Sequence, residues 1–136
     1  SSDVCSSDLY IDCAIGNGFH VEIDVRSIDG ELWLGHDNPQ YKINHNWLNC
    51  RKDFLWIHCK NLEAAKECWK YNSFCHSGDP YSYVSNGKIW LHDLKMKIDN
   101  DVIIPLINSF DIKQLTDTCY FDNAFAVCTD YPCLVK

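Results

Sequence analysis

The stretch from His20 to Asp37, HVEIDVRSIDGELWLGHD, decides how the chain is read. Val21, Ile23 and Val25 alternate with His20, Glu22, Asp24 and Arg26. Successive strand side chains point to opposite faces, so the alternation predicts a strand over His20–Ser27 with one apolar and one charged face. Asp29-Gly30 is a hairpin signal, and Glu31–Gly35 reads as a short return strand. A charged strand face either meets water or lines a site. The Gly35-His36-Asp37 that closes the return segment bears on which.

Upstream, Tyr10–Asn17 reads as the end of a helix with Ile11, Ala14 and Ile15 on one face, stopped by Gly16 and Gly18. Downstream, Asn38-Pro39 breaks the chain and Asn46–Asn49 suits a helical turn. Phe54–Lys60 is a second alternating strand. Asn61 caps a helix in which Leu62, Ala65 and Trp69 form an apolar stripe. Short strands are expected in Ser73–Asp79, on both sides of Asn86-Gly87, and in Val102–Pro105. Ser109–Thr118 suits a helix with Ile112 and Leu115 inside. Ala124–Asp130 is a last apolar strand. Strands alternating with short helices predict a parallel α/β fold, and polar residues recur at strand ends: Asp24, Lys60, Asp79 and Asp130. In a β/α barrel the active site lies at that end of the strands.

The 136 residues are about one domain. A net charge of −7 argues against a general nucleic-acid binder, though a few local cations can still hold a small phosphate. No apolar run reaches the ~20 residues of a membrane helix, so no integral membrane segment is expected. A cytoplasmic location is the expectation. The nine cysteines show no regular framework, and most read as reduced, buried small hydrophobes. Ser1–Leu9, SSDVCSSDL, has no periodicity. Its back-translation resembles a sequencing-library adapter read in frame, as in an assembled environmental (metagenomic) fragment. Residues 1–9 are therefore expected to be non-native and disordered, with 10–136 a single domain.

Glu22 and Asp24, at i and i+2 on one strand face, suit a hard divalent cation, Mg²⁺ or Ca²⁺. A solvent-facing polar stripe explains the same spacing. His36 alone is equally a structural histidine, and Lys60 equally an exposed strand-end lysine. Taken in order, Glu22-Ile23-Asp24-Val25, Asp29-Gly30 and His36-Asp37 are more specific. With His58-Cys59-Lys60 and Thr129-Asp130-Tyr131-Pro132, this order resembles the glycerophosphodiester phosphodiesterase family, within the phospholipase-C-like phosphodiesterase barrels.

The resemblance implies a compact or incomplete TIM-type (β/α) barrel, lacking its first strand. It implies a hydrolase of lipid metabolism that cleaves small glycerophosphodiester-like substrates. Glu22 and Asp24 would be metal ligands, His36 a catalytic acid and base, and Lys60 a catalytic contact to the phosphoryl group. The third ligand is usually acidic in that family. Here it is His58, which suits Mn²⁺ or Zn²⁺ better than Ca²⁺. His76, Asp79 and Trp90 are secondary candidates for binding substrate. The family's other histidine, in an H-R-G motif, would precede Tyr10. It is expected to be missing, leaving this fragment inactive or nearly so. Two alternatives stay open: a barrel that binds phosphate or sugar without chemistry, and a zinc or redox protein built on Cys59, His58, Cys75 and His76.

Overall fold

The computed structural model describes residues 8–93, 96, 98–106 and 122–130. The expected helix at Ser109–Thr118 and the Tyr131-Pro132 pair lie outside them, as do residues 1–7. The chain divides into two compact units, residues 1–75 and 76–136.

The first unit opens with helix α1, Asp8–Gly16. The charged-and-apolar stretch then forms β1, Val21–Ile28, and the return segment forms β2, Glu31–Leu34. Ile28 faces Glu31, so Asp29-Gly30 is a two-residue loop, and both turn residues have positive φ, 52° and 80°. That conformation matches the twist of the strands it joins. The sheet continues through β3, Tyr41–Ile43, which the sequence reading did not anticipate. Helix α2, His45–Arg51, is capped by the Asn44 side chain, which accepts from Trp47 N. Strand β4, Leu55–Cys59, helix α3, Leu62–Cys68, and β5, Ser73–Phe74, form a parallel βαβ unit. The strand order is β3-β2-β1-β4-β5, with β3–β2 and β2–β1 paired antiparallel and β1–β4 and β4–β5 paired parallel.

Alternation sorts this sheet's faces. Ile23 and Val25 of β1 and Leu55, Ile57 and Cys59 of β4 join Ala64 and Cys68 of α3 in one buried core. Asn61 fastens the layers. Its Oδ1 accepts from Ala64 N at 3.0 Å and Ser27 N at 3.2 Å, while its Nδ2 donates to Ser27 O at 2.9 Å. One side chain thus caps α3 and satisfies the end of β1. Of the expected Leu62, Ala65 and Trp69 stripe, Ala65 packs against this core. Leu62 and Trp69 are exposed, and Ala64 and Cys68 are the fully buried positions.

The second unit holds β6, Tyr81–Tyr83, β7, Ile89–Leu91, β8, Val102–Pro105, and β9, Ala126–Cys128, in that spatial order. β6 and β7 are an antiparallel hairpin around Asn86-Gly87, and β7, β8 and β9 run parallel. Leu91, Val102, Ile104 and Leu106 make its core.

The expected barrel is not the fold. Among the described residues the strands form two separate mixed sheets, each with two free edges, and no closed barrel. The reason lies in the turns. A barrel of this type needs a crossover helix after every strand, whereas Asp29-Gly30 and Asn86-Gly87 fold their strands straight back as antiparallel neighbours. A polar face and polar strand ends are shared by any half-covered sheet, so they do not specify closure.

Candidate metal centre

The parallel register of β1 and β4 places Asp24 beside His58 and Glu22 beside Trp56. These side chains share the face opposite the α3 core. One ligand atom from each of Glu22, Asp24 and His58 lies within 4.8 Å of the others, the spacing of donors around a cation. All three side chains are half-buried. His58 is held by a stacked contact with Phe74 of the neighbouring strand, at 5.0 Å and 8°.

Asp24 is the hub. Its Oδ2 lies 3.0 Å from His36 Nδ1 in hydrogen-bond geometry. Its Oδ1 lies 3.0 Å from His58 Nδ1, an ion-pair distance when the imidazole is protonated. That oxygen is buried and accepts no hydrogen bond. A buried carboxylate oxygen without a directed donor is costly unless a charge satisfies it, and a cation is such a charge. Burial pushes the Asp24 pKa up, yet the contacts with the His58 and His36 imidazoles and the charge of Lys60 outweigh it. The carboxyl is held below the ordinary carboxylate range, and so stays an anion ready to ligate.

His36 follows the end of β2 and reaches back to Asp24. Arg26, next on the charged face of β1, fixes it there: Nη1 donates to Gly35 O at 2.5 Å and Nη2 to His36 O at 3.0 Å. Gly35 N donates to Asp24 O at 3.2 Å. Gly35 has φ +151°, and a Cβ there would lie 1.8 Å from Asn38 O. Only glycine lets this turn close on itself. The reading of the sequence gave Arg26 no role, although its place two residues after Asp24 on one strand face was the signal. Lys60, just past β4, is half-buried, and its N donates to Val25 O at 2.9 Å.

The structure therefore brings Glu22, Asp24, His36, His58 and Lys60 to one sheet. His76, Asp79 and Trp90 belong to the second unit. There His76 and Asp79 are exposed, His76 stacks on His92 at 3.5 Å, and Trp90 is buried in β7 opposite Ser82. His58 and Cys59 are consecutive strand residues and point to opposite faces, so they do not converge on one zinc ion.

The donor set fits a divalent cation. Two carboxylates and an imidazole suit Mn²⁺ or Zn²⁺, and the carboxylates alone suit Mg²⁺ or Ca²⁺. No known protein family, curated protein or solved structure matches the chain. No described helix is long and apolar enough to cross a membrane.

Proposed function

We propose that Glu22, Asp24 and His58 hold a divalent cation, and that the chain uses it to hydrolyse small phosphodiesters. The observation that carries this reading is the convergence of one ligand atom each from Glu22, Asp24 and His58 within 4.8 Å, at a carboxylate whose buried Oδ1 lacks a hydrogen bond. Bound there, a cation would polarise a phosphoryl oxygen and neutralise developing charge. The remaining work falls to residues of the chain. Asp24 favours the proton on His36 Nδ1, which leaves Nε2 to take a proton from an attacking hydroxyl or water and return it to the leaving oxygen. Lys60 offers a point charge to the phosphate. With a single imidazole positioned for proton transfer, turnover is expected to be weak.

The test is titration of the full chain with Mn²⁺ by calorimetry, followed by hydrolysis of bis(p-nitrophenyl) phosphate. Binding of one ion per chain is expected. Asp24→Ala should weaken it by at least about 100-fold, since loss of a mere supporting partner already costs roughly 10–100-fold. His36→Ala should keep the ion and lose the turnover. No stoichiometric ion sinks the site itself. An ion bound without metal-dependent hydrolysis ends the hydrolase reading and leaves a cation-binding sheet.

A further inference from the structure

On the opposite, helix-covered face of the same sheet, Cys59 of β4 and Cys68 of α3 share one buried core. Cys75 follows β5, the parallel neighbour of β4. Cys59 and Cys68 are buried, whereas Cys75 is exposed. Continued by one residue, the parallel register of Ile57–Ser73 and His58–Phe74 sets Cys59 against Cys75. Adjacent strands stand about 4.8 Å apart. That separation lies inside the roughly 4.4–6.8 Å between Cα atoms that a disulfide spans. Cys75 lies one residue beyond the end of β5.

We propose that Cys75 and Cys59 are a disulfide-forming pair that closes when the chain meets a hydroperoxide. The accessible sulfur reacts first. The Cys75 thiolate attacks the peroxide, an S–O bond forms as the O–O bond breaks, and the sulfenic acid of Cys75 results with release of an alcohol or water. The Cys59 sulfur then attacks the Cys75 sulfur. An S–S bond forms as S–O breaks, and the oxygen leaves as water with the Cys59 proton. Each thiol gives up one electron and one proton, and the peroxide takes both electrons as its O–O bond is reduced. Cys68 shares the core with Cys59 but is fully buried, so it offers the oxidant no entry. The bridge joins β4 to β5 beside the stacked His58 and Phe74, and its formation does not depend on a metal at the other face.

The experiment uses the full chain, reduced and then exposed to hydrogen peroxide under native conditions. Free thiols are alkylated, and the digested protein is mapped by mass spectrometry. The expected product is a Cys59 peptide joined to a Cys75 peptide, short of two hydrogens and restored by dithiothreitol. Cys75→Ser should abolish the joined peptide and leave Cys59 as a thiol. Three outcomes overturn the proposal: a bridge from Cys59 to Cys68 instead, Cys75 driven to sulfinic acid while Cys59 stays reduced, or no oxidation at Cys75. Because the wild-type map alone decides among these, a poorly folding variant does not blunt the test.

Discussion

Strands β1 and β7 hold equivalent places, each hydrogen-bonded to an antiparallel hairpin partner on one side and a parallel strand on the other. Their side chains differ completely. In β7, Trp90 and Leu91 are consecutive and both buried, so both faces are covered and apolar. In β1, Ile23 and Val25 are buried on one face, while Glu22, Asp24 and Arg26 lie half-buried on the other. Half-burying a carboxylate costs solvation that β7 never gives up. β1 recovers part of that cost through imidazole contacts and leaves one oxygen unsatisfied. Among the described residues, the strand with the poorer local energetics is the one that carries a group of possible cation ligands.

The largest predicted effect contrasts two glycines. Gly35→Ala should destabilise the chain by about 4 kcal/mol or prevent folding, because the clash is with backbone and nothing flexible can yield. Gly87→Ala, at φ +91° in the second unit's hairpin, meets open space. It should cost only about 1 kcal/mol, for the left-handed backbone alone. Thermal unfolding of both variants decides. Equal losses would mean that the Gly35 turn is not closed as described.

Next is Leu91→Ala, which empties a nearly fully buried site in the second core. It should cost about 3 kcal/mol. Mn²⁺ affinity should not change, since the proposed ligands all lie in the first unit. A fall in affinity that matches the fall in stability would break the division of labour between β7 and β1.

Arg26→Met keeps the apolar stem and removes both hydrogen bonds to the Gly35-His36 backbone. A loss of about 2 kcal/mol is expected for two charge-assisted bonds at a half-exposed site. Misplacing His36 should also lower metal-dependent hydrolysis by about 10- to 100-fold, with Mn²⁺ affinity nearly intact. Affinity lost in step with turnover would make Arg26 a scaffold for the ion rather than for His36.

Most strands were legible in the sequence because alternation and turn signals are local. The β1 faces, the Asp29-Gly30 hairpin and the Asn61 cap follow from neighbours in the chain. So does the sharing of one face by Glu22 and Asp24. Closure into a barrel was not legible. It depends on which strands pair across long separations, and the hairpins at Asp29-Gly30 and Asn86-Gly87 pair neighbours instead. Strand β3 was missed because Tyr41-Lys42-Ile43 is too short to show a period. Arg26 was visible on the charged face, but its partners are backbone carbonyls nine and ten residues away, which side-chain motifs do not reveal. In the Leu62, Ala65 and Trp69 stripe, the two outer residues misled for a related reason. Spacing locates the faces of a helix but not which one the sheet covers, and α3 turns Ala64 and Cys68 inward.

The smallest predicted effect belongs to the surface of the first unit. Arg51 of α2 grips Asp12 of α1 with Nε at 2.7 Å and Nη2 at 3.0 Å, and its guanidinium lies 4.4 Å from the Trp47 ring. The Arg51 hydrogen bond holds the Asp12 carboxyl below the ordinary carboxylate range. Slight burial opposes this, and the guanidinium charge adds to it. A carboxyl whose pKa falls on folding lends stability above its unfolded pKa, about 3.9, and loses it as pH drops through the lower folded value. Asp12 is half exposed, so solvent screening keeps the pair within the roughly 0.2–1 kcal/mol typical of surface ion pairs. Asp12→Asn should therefore lower the melting temperature slightly at pH 7, and less in high salt. The gap between wild type and variant should shrink as pH falls below about 4 and vanish once Asp12 is protonated in both the folded and unfolded wild type. A gap that persists at pH 2 would mean that the amide introduced at position 12 perturbs the packing of α1 on α2 and that the ion pair itself contributes little.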